Sequence, residues 1–127
     1  MRALLDTSFF VAAESGRPRR ELHGVSETEV SVVTLAELTL GVLVAGDADR
    51  ANRVATLSAV ESTWDPLPID AGVAREFAQI VAVLRKDGKR VPVLDTLIAA
   101  TAVAERIPVV TQDRDFDAIP GVEIVKV

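Results

Sequence analysis

Four acidic residues stand where their side chains could share one site. They are Asp6, Glu37, Asp95 and Asp113. Each follows an apolar segment or lies in a helix that starts after one, and the carboxyl ends of parallel strands share the sheet edge where ligands bind. Two carboxylates about 5 Å apart repel each other by roughly 3 kcal/mol at an effective dielectric near 20. A divalent cation relieves this repulsion, so the pattern predicts a metal site that activates water for phosphodiester hydrolysis.

Each of these acids also has an ordinary structural role open to it. Asp6 is a good N-cap residue, and Asp95 could cap the alanine-rich helix that follows it. Glu37 stands three residues after Thr34, which is the spacing of a capping box. Asp113 could form an Asx turn with its own backbone. A structural role therefore remains open for each acid taken singly.

The neighbours of two acids favour a functional role over a structural one. Glu37 shares a helical face with apolar Leu40 and Val44, which an exposed glutamate would not need. Asp95 lies between Leu94 and the apolar run 97–100. A largely buried carboxylate must be paired, coordinated or protonated. Hard oxygen ligands favour Mg²⁺ or Mn²⁺ as the bound ion.

The composition is that of one globular domain covering residues 1–127, with 49% hydrophobic and 26% charged residues. No apolar run is long enough to span a membrane, and Met1-Arg2 leads into a strand without a signal pattern, so we expect a cytoplasmic protein. The absence of cysteine excludes disulfides and thiol chemistry. The net charge is −5, but setting the four acids aside leaves 15 acidic against 14 basic residues. The charge therefore neither excludes nor supports a nucleic-acid substrate.

Strand and helix patterns alternate along the chain, which predicts an α/β fold with a mostly parallel sheet of about five strands between helices on both faces. Strands are predicted at 2–6, 29–33, 65–69, 107–111 and 122–126. Helices are predicted at 8–14, 34–45, 47–62, 93–106 and between Asp70 and Gly88. The helix at 34–45 is apolar nearly all round, so it is either deeply buried or at a subunit interface.

Other catalytic arrangements find little support. The single histidine, His23, lies near Gly24 in a predicted loop, which argues against a Ser-His-Asp hydrolase, and no phosphate-binding loop of the GxxxxGK[ST] type is present. Aromatic residues are too few for a broad base-stacking platform. Two basic clusters could hold a phosphate backbone, although residues at a helix end could equally complement the helix dipole. The clusters are Arg85, Lys86, Lys89 and Arg90, and Arg17, Arg19 and Arg20.

Four motifs in order give the chain a family resemblance. They are Leu4-Leu5-Asp6-Thr7-Ser8, the run 31–38 (SVVTLAEL), the run 95–100 (DTLIAA) and the run 111–116 (TQDRDF). Over its whole length the chain resembles the PIN-domain ribonucleases, and among them the VapC toxins of prokaryotic toxin–antitoxin pairs. The resemblance implies a three-layer α/β/α sandwich, RNA as the substrate and Mg²⁺ or Mn²⁺ held by the four acids. It also implies a homodimer and a VapB-like antitoxin that blocks the active site.

Three further residues are expected to help the four acids. Asp113 and Asp115 are two positions apart, so in extended chain both could point the same way. Asp113 is nearer the strand end and takes the ligand role, with Asp115 as a helper. Thr111 and Ser8 could hydrogen-bond a ligand carboxylate, and Ser8 could instead bond a water on the metal.

Two other hypotheses compete with a metal-dependent endoribonuclease. A phosphoacceptor receiver domain is also α/β and carries acids at strand ends, but it needs an acidic pair after its first strand, where Asp6 stands alone. Its acceptor after the third strand could only be Asp70, which has the pattern of a helix cap. A catalytically silent PIN-like scaffold that binds a partner also fits, because intact ligands do not prove turnover.

Overall fold

A computed structural model describes residues 1–127 as a parallel sheet of four strands with five α-helices and one short 3₁₀ helix. The strands are β1 (Arg2–Leu5), β2 (Glu27–Glu29), β3 (Val109–Thr111) and β4 (Ile124–Lys126). The helices are α1 (Thr7–Glu14), α2 (Val32–Leu43), α3 (Asp47–Thr63), α4 (Ala71–Lys86), α5 (Val93–Glu105) and the 3₁₀ helix (Arg114–Ala118). None of the helices is both long and apolar enough to cross a membrane.

The strand order β2-β1-β3-β4 places β1 and β3 side by side in the middle of the sheet. The chain leaves β1 toward β2 on one side and later returns to β3 on the other, so the connections reverse direction between these two strands. Pairing continues past the end of β1, since the Asp6 N–H donates to the Val110 carbonyl oxygen at 2.9 Å. The crevice outside the carboxyl ends at such a reversal is where open α/β sheets bind ligands.

Alternate residues of the central strands enter two separate cores, one on each face of the sheet. Leu4 and Val109 are fully buried against α4, α5 and the 3₁₀ helix. Leu5 and Val110 are buried on the opposite face with apolar residues of α1 and α3. Helices therefore cover both faces, and the predicted three-layer α/β/α sandwich is confirmed.

The prediction of a fifth strand at 65–69 is wrong. Only one residue of this segment pairs with the sheet, through an isolated parallel bridge between Leu67 and Ser31. Pro66 and Pro68 flank Leu67, and neither has an N–H group to donate to a neighbouring strand. The pairing therefore stops at Leu67 in both directions, and the sheet has four strands.

The boundaries of the second strand and second helix also differ from the prediction. The strand predicted at 29–33 is found at Glu27–Glu29, and α2 begins at Val32 instead of Thr34. Ser31 is the N-cap, and its side chain accepts a hydrogen bond from the Val33 N–H at 3.0 Å. A serine cap at this point converts the end of an apolar, β-branched run into the first helical turn.

The apolar character of α2 does not reflect complete burial. Its C-terminal end leaves Leu40, Leu43 and Val44 exposed by 56%, 75% and 68%. Val54 of α3 is also exposed, by 43%. Of the two interpretations open from sequence, deep burial is therefore wrong for this end of the helix, which presents an apolar surface.

Candidate active site

The four predicted acids lie on four different elements around the carboxyl edge of the sheet. Asp6 follows β1 directly and is the N-cap of α1. Glu37 lies in the middle of α2, and Asp95 lies in the first turn of α5. Asp113 follows β3 and is the N-cap of the 3₁₀ helix. The sheet topology thus brings together residues that are far apart along the chain.

The tightest group of carboxylates includes one residue that was expected only as a helper. Oxygen atoms of Asp95, Asp113 and Asp115 lie within 4.8 Å of one another. Asp6 and Glu37 are outside this group, but their charges act on Asp95 and raise its pKa. Asp115 lies in the first turn of the 3₁₀ helix instead of continuing a strand, and its carboxylate lies close to that of Asp113.

Asp6 is both the N-cap of α1 and one of the four predicted metal-binding acids. Its side chain is almost fully buried, with 2% of the residue exposed. The Oδ2 atom accepts hydrogen bonds from Thr111 Oγ1 at 2.8 Å and from the Ser8 N–H at 3.3 Å. Both bonds fall on the same oxygen, so Oδ1 accepts no hydrogen bond.

Two hydroxyl groups form a directed chain of hydrogen bonds that ends on Asp6. Thr111 has one hydroxyl hydrogen, which it donates to Asp6, so its other contacts are accepted. Thr111 Oγ1 accepts from the Asp113 N–H at 2.9 Å and lies 3.1 Å from Ser8 Oγ. Ser8 is therefore the donor in that pair, while its own oxygen accepts from the Gln112 N–H at 2.9 Å. Thr111 thus uses its full bonding capacity to join the chain after β3 to the chain after β1.

Glu37 is held by a residue that the sequence analysis did not single out. Thr7 Oγ1 donates to Glu37 Oε1 at 2.8 Å and lies 3.0 Å from Thr34 Oγ1. The capping box that the sequence left open as an alternative does not form, because Ser31 caps α2 and Glu37 bonds to Thr7 of α1. Burial raises the pKa of Glu37, the bond from Thr7 lowers it, and the charges of nearby acids raise it. The only sequence signal for Thr7 is its position beside Asp6.

Asp95 carries the strongest electrostatic perturbation of the site. Its pKa is raised from 3.8 to about 7, first by burial and then by the charges of Asp113, Asp6, Glu37 and Asp115, in that order. No hydrogen bond to the carboxylate offsets these effects. The alternative cap role is excluded, since the N-cap position is Pro92 and no side chain caps α5. Asp95 is therefore a carboxylate whose charge a cation would stabilise.

The loop after β3 is braced by its own turn and by the end of the chain. Asp113 Oδ1 accepts from the Asp115 N–H at 2.9 Å, which is the Asx turn that the sequence left open. Lys126 Nζ donates to the Asp113 carbonyl oxygen at 2.9 Å and forms an ion pair with Asp117 at 2.9 Å. No sequence motif indicates this role for Lys126, because it depends on the pairing of β4 with β3.

The two predicted basic clusters lie in different grooves. Arg85, Lys89 and Arg90 line a groove between α4 and α5, which Lys86 does not reach. Arg17, Arg19 and Arg20 line a shallower groove beside α1. There the Arg19 guanidinium stacks 3.9 Å above the Phe9 ring. His23 is exposed and lies 3.8 Å from Glu21, away from the acids.

Comparison with known proteins identifies the family. Residues 3–122 match the family model described as PIN domain. The chain belongs to the PIN-domain family. This PIN domain is 45% identical to ribonuclease VapC5 of Mycobacterium tuberculosis, over 98% of its own length and 94% of the relative's. It is 43% identical to ribonuclease VapC4 of the same organism, over 99% and 97% of the two chains.

A solved structure agrees with these relatives. The PIN domain superposes with a TM-score of 0.90 and 41% identity on a member of the VapBC family of toxin–antitoxin systems, VapBC-5 from Mycobacterium tuberculosis. The match covers 99% of this chain and 98% of the other. The resemblance to PIN-domain proteins of the VapC type is therefore confirmed. The phosphoacceptor receiver hypothesis is set aside by the same family match.

The donor set of this PIN domain fits a hard divalent cation. The clustered ligand atoms of Asp95, Asp113 and Asp115 are all carboxylate oxygens, and no nitrogen or sulfur ligand lies among them. Such oxygens suit Mg²⁺ and Mn²⁺ better than ions that select imidazole or thiolate. The uncompensated charge of Asp95 is a second feature that a bound cation would resolve.

Proposed function

We propose that this PIN domain, formed by residues 1–127, is a metal-dependent endoribonuclease that hydrolyses RNA phosphodiester bonds as the toxin of a VapBC-type pair. The observation that carries the proposal is the cluster of Asp95, Asp113 and Asp115 oxygens at the carboxyl edge of the sheet. Relatives that are 45% and 43% identical over nearly the whole chain are named ribonucleases.

Asp6, Glu37, Asp95 and Asp113 are the proposed metal-binding and catalytic acids, with Asp115 as a further ligand. Asp95, Asp113 and Asp115 would hold one Mg²⁺ or Mn²⁺ ion, and Asp6 and Glu37 would bind a second ion or a water molecule. The chemistry that such a cation supplies, when it is bound, is Lewis-acid activation of water and neutralisation of charge on the phosphate.

The residues around the acids orient them before any substrate arrives. Thr111 and Ser8 fix the orientation of the Asp6 carboxylate through the directed hydroxyl chain, which bonds to Oδ2 and leaves Oδ1 without a hydrogen bond. Thr7 fixes Glu37 by its 2.8 Å hydrogen bond. Groups that hold metal ligands in this way commonly change metal affinity or activity by about 10- to 100-fold when they are removed.

A VapB-like antitoxin is the proposed protein partner, and the toxin itself is proposed to be a homodimer. Related structures are described as VapBC toxin–antitoxin complexes. The exposed apolar surface of Leu40, Leu43 and Val44 is the one we assign to the antitoxin, because contiguous apolar patches mark protein contacts. The cytoplasm is the proposed compartment, since an RNA substrate is available there.

The decisive experiment is cleavage of a panel of structured RNAs, including transfer RNAs, with Mg²⁺, with Mn²⁺ and with EDTA. Wild type is compared with Asp95→Asn and with Asp65→Asn, whose carboxylate is exposed and makes no ion pair. We expect metal-dependent cuts that disappear in Asp95→Asn and remain in Asp65→Asn. Cleavage that survives in Asp95→Asn would contradict the proposal, whereas a folded, metal-binding protein that cuts no RNA would indicate the silent scaffold.

A further inference from the structure

A groove lies between the C-terminal end of α4 and the N-terminal end of α5, separate from the acid cluster. Its volume is about 760 Å³, which is within the range of small-molecule and cofactor sites. Its apolar lining comprises Phe77, Val81, Leu84, Val91 and Val93. Basic residues stand at its edge: Arg85, Lys89 and Arg90. The groove thus combines an apolar floor with a positively charged rim.

The rim cations are not used by the fold. None of Arg85, Lys89 and Arg90 takes part in an ion pair, although other basic residues of the chain do. They are not needed to cap α4 either, because backbone N–H groups satisfy its last carbonyls. Lys89 N–H donates to the Leu84 oxygen at 2.8 Å, and Gly88 N–H to the Arg85 oxygen at 3.1 Å. Three exposed cations are therefore available to an anionic ligand.

The floor of the groove offers apolar contact, including one aromatic ring. Leu84 is buried, and Phe77 and Val81 are half-buried, so part of each faces the opening. Nucleobases stack on aromatic side chains and on arginine planes, and sequence-specific RNA recognition mostly uses unpaired bases that can be splayed out in this way. Phe77 is the one aromatic residue in the lining, so the floor offers a stacking partner to one base.

The groove is close enough to the acids to hold a neighbouring part of one RNA strand. Val93 and Thr96 line it, while Asp95 lies on another side of the same helical turn. The width of a helix with its side chains is about 10 Å. A strand that rises about 3.4 Å per stacked nucleotide covers this distance in about three nucleotides.

We propose that this groove is a subsite for one unpaired nucleobase of the RNA, a few nucleotides from the bond that is cut. The base would lie on the floor formed by Phe77 and Val81. Arg85, Lys89 and Arg90 would bind the phosphates on either side of it. The inference rests on the proposed RNA substrate, and it locates sequence preference in the groove and not at the acids.

A second copy of the chain fits the same groove less well. In a two-fold dimer the same patch of both copies meets, so the rim cations of one copy would approach those of the other. Like charges brought together across an interface disfavour association. The phosphates of RNA instead complement the rim, which is why the groove is assigned to RNA.

The test is RNA binding in EDTA, so that cleavage does not interfere. Labelled single-stranded rA, rC, rG and rU oligomers of about 12 nucleotides are compared with an abasic oligomer by fluorescence anisotropy. We expect one base type to bind about tenfold more tightly than the abasic strand, as stacking of a single base allows. Val81→Trp, which fills the groove, should remove this preference. Val83→Trp, on the exposed side of the same helix, should keep it.

The rim gives a second, independent readout that does not depend on a core substitution. Lys89→Ala and Arg90→Ala should weaken binding of every oligomer, the abasic one included, and make binding less sensitive to salt. Equal binding of all oligomers by the wild type would overturn the inference, as would a base preference that survives in Val81→Trp. A dimer that falls apart in Val81→Trp, with RNA binding unchanged, would show that a second copy covers the groove. Absence of cleavage with Mg²⁺ or Mn²⁺ would count against the proposed nuclease alone, since this binding test needs no turnover.

Discussion

Thr111 donates its hydroxyl hydrogen to Asp6 Oδ2 at 2.8 Å, although 105 positions separate the two residues in the chain. Thr111 is also the acceptor for the Asp113 N–H, so one hydroxyl joins the loops that follow both central strands. Neither group is exposed to solvent beyond 2%. The carboxyl edge of the sheet is therefore held together by a bond whose loss should be felt in both stability and metal binding.

Replacing Thr111 by Val keeps the shape of the side chain but removes the donor to Asp6. Leaving a buried polar group without its partner costs about 1–3 kcal/mol, so we expect unfolding at lower denaturant concentration. Mn²⁺ affinity should fall about 10- to 100-fold because Asp6 is no longer oriented.

Thr101→Val is the matched control for Thr111→Val. Thr101 is equally buried, but its hydroxyl bonds only to the Leu97 carbonyl within α5, at 2.8 Å. The Thr101→Val variant should lose some stability and keep its Mn²⁺ affinity. Equal losses of Mn²⁺ affinity in the two variants, measured by calorimetry, would show that Thr111 has no special role in orienting Asp6.

The raised pKa of Asp95 should make the metal-free protein less stable as the pH rises. In the folded state Asp95 keeps its proton up to about pH 7, whereas in the unfolded chain it loses it near 3.8. The stabilising effect of the proton is complete below 3.8 and disappears as pH rises through about 7. We expect the melting temperature in EDTA to decline over this interval, and to decline less in Asp95→Asn. Identical declines in both proteins would assign the effect to other groups.

The same shift predicts that metal binding is linked to proton release at Asp95. A carboxylate must lose its proton before it can coordinate, so Mn²⁺ affinity should increase from pH 6 toward pH 8 and then level off. Calorimetric titrations in two buffers of different ionisation enthalpy would count the released protons. Below pH 7 we expect more than half a proton released per ion from Asp95, and an affinity that does not change with pH would refute the linkage.

Asp115 and Asp117 offer a matched test of the acid cluster. Asp115 has an oxygen within 4.8 Å of those of Asp95 and Asp113, whereas Asp117 forms an ion pair with Lys126. Asp115→Asn should weaken Mn²⁺ binding at least as much as Asp113→Asn does. Asp117→Asn should leave binding nearly intact and cost at most about 1 kcal/mol of stability, since the ion pair is largely exposed. Mn²⁺ affinity is measured by metal titration and stability by thermal unfolding. A larger loss of Mn²⁺ affinity in Asp117→Asn than in Asp115→Asn would show that Asp115 is not a ligand.

Much of the fold could be predicted because its signals are local. Apolar runs, capping residues and prolines lie next to the elements that they start or end, as Asp70 does for α4, where it accepts from the Val73 N–H at 3.0 Å. The errors also have local causes, because a capping residue or a proline overrode the apolar pattern around it. Ser31 starts α2 earlier than the apolar run suggested, and two prolines reduce the segment 65–69 to a single bridge.

By itself, the sequence determined the alternation of strands and helices and the positions of the four acids along them. The tertiary structure decided which atoms meet there. It brought a carboxylate oxygen of Asp115 near that of Asp95, and it placed Glu37 within hydrogen-bond distance of Thr7 instead of in a capping box. It also placed the Lys126 ammonium against the Asp113 carbonyl oxygen. Periodicity along a chain reports which face a side chain takes, but the approach of two such faces depends on how distant strands are ordered and paired.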